Sequence, residues 1–92
     1  MGVLMEKAAQ ELRDAKHMLT KAELARFSSL LALRAEAESV SPILEDELRR
    51  LVERHPVLEE LVPLANGDDE DRKYLVLRVT LLRAAIEIVE AD

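Results

Sequence analysis

Wound as a helix, the segment from Tyr74 to Asp92 is apolar on two sides. Leu75, Val79, Leu82, Ile86 and Val89 advance by fours and threes and form one seam. Leu77, Leu81, Ala84 and Ile88 form a second seam on nearly the opposite side. Lys73, Thr80, Arg83, Glu87 and Glu90 leave a narrow strip suited to water. A helix with one wet face lies on a domain surface, whereas a helix apolar on both sides needs cover on both. A small chain has little left to cover the second seam. A second copy of the chain, or another protein, is therefore the expected partner.

The chain's 92 residues predict one domain, 1–92, with a thin core. It has no cysteine, which excludes disulfides and thiolate metal sites and accords with a cytoplasmic location. No apolar run approaches the ~20 residues of a membrane span, so no membrane association is expected. The start, MGVLMEK, has no basic region leading into a long apolar stretch, so a secretory leader is not expected. Nineteen acidic and thirteen basic residues give a net charge of −6, which disfavours phosphate neutralisation and hence nucleic-acid binding. Phe27 and Tyr74 are the aromatic residues, too few for a base-stacking platform. Abundant Leu, Ala, Glu and Arg with two glycines point to an all-α protein. Charge enrichment with few Asn and Gln is also a thermophile pattern.

From Val3 to Val40 there is neither glycine nor proline. Met5, Ala8, Leu12, Ala15, Leu19, Ala22, Phe27, Leu30, Leu33, Ala37 and Val40 share one broad arc of a helical wheel. This phase predicts one long N-terminal helix of about 35 residues, near 50 Å at ~1.5 Å per residue, with room for a kink. Thr20-Lys21-Ala22-Glu23 competes with it as a capping box, and Leu19 with Leu24 could staple the box. Ser41-Pro42 suits the N-cap and first position of the next helix, which runs to about Arg54. His55-Pro56 ends that helix and predicts a short one over Val57 to Val62. Pro63 and Asn66-Gly67 then stop the chain, and Asp68-Asp69-Glu70-Asp71 cap the last helix.

Three polar constellations are candidates for chemistry. Glu23, Arg26 and Arg34 lie within the apolar arc, with Glu23 and Arg26 spaced to pair on one face. They could form an anion site inside a bundle. The plainer reading is structural ion pairing, the arginine stems covering apolar surface. One long helix, two shorter ones and inward arginines resemble the architecture of the small helical chorismate mutases. That family's basic residues and late glutamine have no counterpart here, since Gln10 is the only glutamine and lies at the opposite end. The activity is not carried over.

Arg50-Leu51-Val52-Glu53-Arg54-His55 resembles the arginine–histidine pattern of the HEPN ribonucleases, which are all-helical dimers. That resemblance implies His55 in proton transfer and Arg50 stabilising a phosphoryl charge. The competing reading has His55 capping the helix C-terminus before Pro56. Asp14 and His17 have ligand-like spacing but no second copy of the pattern, so no metal and no cofactor are expected.

The expectation is an all-α, antiparallel helical bundle, dimeric, with a long N-terminal helix and a buried C-terminal helix. The expected role is a noncatalytic protein–protein interaction module, an oligomeric adaptor or accessory subunit, with Leu77, Leu81, Ala84 and Ile88 as its interface. The alternative is a small dimeric enzyme whose arginine-lined site lies between subunits.

Overall fold

A computed structural model describes residues 2–91; Met1 and Asp92, the ends of the expected 1–92 domain, lie outside the described residues. Helices α1 (Gly2–Asp14), α2 (Lys21–Glu36), α3 (Pro42–Arg54) and α4 (Asp69–Ala91) carry the fold. Two short 3₁₀ helices, Pro56–Leu61 and Pro63–Asn66, join α3 to α4. There is no strand among the described residues.

The expected long N-terminal helix is two helices. Thr20 has an extended backbone, its hydroxyl accepts from the Glu23 N–H, and the Glu23 carboxylate accepts from the Thr20 N–H at 3.1 Å. The reciprocal cap satisfies donors that every helix start leaves open. Leu19 and Leu24, the flanking staple pair, are both buried in the core. The break also has a packing cause. A straight helix of about 35 residues would carry its apolar stripe well beyond the 23 residues of α4, about 35 Å. Folding back lets α1 lie on α4 and places Ala9, Leu12, Leu19 and Phe27 in one cluster. Helix α2 also ends earlier than expected, at Glu36, with Ala37 in an extended conformation.

Ser41 caps α3 by accepting from the Leu44 N–H, with Pro42 in the first turn. His55 closes α3 through its backbone N–H, 2.8 Å from the Leu51 carbonyl. Proline at Pro56 and again at Pro63 starts a tight 3₁₀ turn, so Pro63 opens an element where a stop was expected. Leu58 and Leu61 of the first turn are fully buried and plug the core beneath α3.

Helix α4 opens on a second reciprocal cap. The Asp71 N–H donates to Asp68 Oδ1 at 2.9 Å, and the Asp68 N–H donates to Asp71 Oδ2 at 3.4 Å. Its first apolar seam meets the core: Leu82 and Ile86 are buried, and Leu75, Val79 and Val89 pack against them. The molecule measures 42 × 27 × 16 Å. Its thin dimension is about two helix layers at 8–10 Å spacing, so a helix in it has at most one neighbouring layer. No helix of the described residues is long and apolar enough to cross a membrane.

Candidate functional site: an outer helix face, a charge belt and a cleft

The four residues of the second α4 seam are not gathered into the core. Leu77 is 62% exposed and Ile88 37%, and Leu81 and Ala84 are partly exposed. Tyr74 is also exposed, its ring 5.7 Å beneath the guanidinium of Arg78. That guanidinium also hydrogen-bonds the Tyr74 hydroxyl and pairs with Glu60. Bonding to Glu60 first, then to Tyr74, raises the Arg78 pKa. Helix α4 therefore joins one water-facing apolar strip to an inner face that fills the core.

Glu23, Arg26 and Arg34 do not meet one another. Each faces a different partner contributed by α3 or its end. Glu23 Oε2 lies 2.9 Å from Nε2 of His55 and 3.4 Å from Nε of Arg54. Arg26 grips Glu47 with two donors, Nη2 lying 3.0 Å from Oε1. Arg34 Nε lies 3.2 Å from Glu45 Oε2, a buried oxygen held by charge with no hydrogen bond of good angle. The expected local pairing of Glu23 with Arg26 gives way to these cross-helix pairs. The reason is geometric, because α3 offers Glu45 and Glu47 while His55 needs an acceptor in the interior.

Glu23 is a half-buried carboxylate shared among Thr20, Arg54 and His55. Burial raises its pKa, but hydrogen bonding with His55 and Thr20 and the charge of His55 outweigh that. The carboxyl is held below its ordinary value. His55 is 2% exposed, the one buried charged or polar residue among the described residues. Arg50, its expected catalytic companion, is well exposed and pairs with Asp46 at 2.9 Å. Asp14 accepts a hydrogen bond from Gln10, and no group of three or more His, Asp or Glu among the described residues could hold a metal ion.

Two concavities among the described residues bear on function. One, of about 300 Å³, lies at the α2–α3 turn, where Arg34 and Glu45 neutralise each other. The other, of about 430 Å³, runs between α2 and α4. Ala32 and Ala35 of α2 face Leu75 and Val79 of α4 across it, with Ser28 and Arg83 also on its walls. Periodicity placed Leu75 and Val79 on the core seam and Arg83 on the wet strip of α4 but carried no sign of a cleft, which depends on how far apart the two helices sit.

Comparison of the chain with protein-family models, curated proteins and solved structures finds no match. The functional reading rests on the geometry above.

Proposed function

We propose that the protein is a noncatalytic, self-associating helical module in which the outer seam of α4 packs against a second copy of the chain. The observation that carries this reading is the exposure of Leu77 and Ile88 beside Leu81 and Ala84 on a helix whose other seam fills the core. Surface area supports it. A compact monomer of 10.4 kDa exposes about 5,400 Å² by surface-to-mass scaling. This chain exposes 6272 Å². The excess is close to the ~800 Å² that each partner surrenders in a standard interface. A two-fold dimer is the simplest closed arrangement, since one self-complementary patch then serves both copies.

Within each copy the helices run antiparallel, a reading supported by Lys21 at the start of α2 meeting Glu87 near the end of α4, 3.2 Å apart. The charges favour a binding role over catalysis. An anion-binding enzyme would need Arg26, Arg34, Arg50 and His55 to converge in one concavity. They are engaged instead with Glu47, Glu45, Asp46 and Glu23.

Light scattering over a dilution series tests the reading. The expected result is twice the chain mass at micromolar concentration, and the chain mass for the double variant Leu77→Glu, Ile88→Glu with helical circular dichroism unchanged. A wild-type chain that stays monomeric throughout, or a double variant that stays dimeric, overturns it.

A further inference from the structure

We propose that the cleft between α2 and α4 binds an amphiphilic monocarboxylate, with its hydrocarbon part between the alanine wall and Leu75–Val79 and its carboxylate on Arg83. The site lies within one copy of the chain, so it stands or falls independently of self-association through the outer seam.

The cleft has the size of a small-molecule site. Such sites span about 300–1,000 Å³, with apolar walls and a few polar groups that fix orientation. This one is about 430 Å³, and its walls are mainly Ala, Leu and Val. The cleft opens to solvent, with Ala32, Ala35, Val76 and Arg83 of its lining exposed. Here the small side chains of Ala32 and Ala35 keep apolar walls apart where a leucine would close them.

The polar groups around the cleft define the head group. Arg83 is the one arginine among the described residues with no ion pair or hydrogen bond. The other arginine of the lining, Arg72, three turns earlier on α4, is already taken by Asp69. A free guanidinium presents a planar fork that matches a carboxylate with two parallel hydrogen bonds. Ser28, on the same walls, has a buried hydroxyl with no partner. A buried hydroxyl left unpaired is costly, and rotation about one bond lets it donate to a bound oxygen. One unpaired cation at the cleft, on a chain of net charge −6, suits a single negative charge better than a dianion.

The test is a proton–nitrogen NMR titration of the full chain with octanoate, 1-octanol and octylammonium. The expected result is saturable octanoate binding, with shifts centred on residues 28–35 and 75–83 and affinity about tenfold above either analogue, the worth of one charge-assisted pair. Arg83→Gln, which breaks no existing pair, should keep its helicity and bring octanoate down to the level of octanol. Ala35→Leu should fill the cleft and abolish binding of all three. Equal binding of octanoate and octanol by the wild-type chain overturns the proposal, as does the absence of saturable binding. So does a dilution series without ligand that moves the resonances of residues 28–35, on the α2 wall and apart from the outer seam of α4, which would mean that a second copy occupies the cleft.

Discussion

Glu23 and His55, thirty-two residues apart in sequence, meet with the carboxylate Oε2 2.9 Å from the imidazole Nε2. One side chain thereby does two jobs. Its Oε1 closes the N-terminus of α2 on Thr20, and its Oε2 partners the buried histidine that ends α3. The start of one helix and the end of another are tied through a single carboxylate. Loss of Glu23 leaves a buried imidazole without its acceptor and reopens a helix end.

Urea denaturation of Glu23→Ala should show a loss of about 2–3 kcal/mol, combining a charged hydrogen bond with a cap. Glu23→Gln keeps an acceptor in place and should lose about half as much. Equal losses for the two variants would mean that the charge contributes nothing.

The same carboxylate sets a pH dependence. Its pKa is lower in the folded chain than the ordinary 4.5, so the unfolded chain binds the proton more readily. The resulting stability is fully present above pH 4.5 and is lost as pH falls through the folded value. Glu47 and Asp46, held low by hydrogen bonds from Arg26 and Arg49, act in the same direction. The urea midpoint should therefore fall on acidification below 4.5, and Glu23→Gln should show a shallower fall. A midpoint unchanged between pH 5 and pH 3 would contradict this.

Thr20→Ala removes the hydroxyl that caps α2. The expected cost is about 1 kcal/mol. For a domain of this size that lowers the melting temperature by about 4–8 °C. An unchanged melting temperature would mean that the chain tolerates a continuous helix through residue 20.

Gly67→Ala tests the approach to α4. A Cβ at Gly67 would lie 2.5 Å from the Asp71 Cβ, so Asp71 must move and its reciprocal cap with Asp68 must open. A loss of about 1–2 kcal/mol is expected from this cap and the displaced side chain. Gly67→Ala at wild-type stability would show that the cap is dispensable.

The two seams of α4 should respond differently to charge. Leu82→Asp puts a carboxylate in the core, costs several kcal/mol and should leave the chain unfolded by circular dichroism. Leu77→Asp lies on the exposed seam and should change monomer stability by no more than about 0.5 kcal/mol. Similar unfolding of both would mean that the outer seam is structural.

Local chemistry made much of this chain legible in its sequence. Ser41-Pro42 had to start a helix, and the four-and-three spacing from Leu75 to Val89 had to face a core. Both follow from preferences that operate within a few residues of one another. The all-helical class follows in the same way, from composition and period. The break at Thr20 was written in the capping box, but the uninterrupted apolar phase pointed to one long helix. Phase alone cannot register that a 50 Å stripe has no partner of equal length. Only tertiary packing decided that α1 folds back onto α4, that Glu23 leaves Arg26 for His55, and that Arg26 and Arg34 turn to Glu47 and Glu45. Those choices depend on which helix ends meet in space, and a charge pairs with the partner that packing brings within reach. The cleft and the unpaired Arg83 have the same origin, because the distance between two helices belongs to neither helix alone.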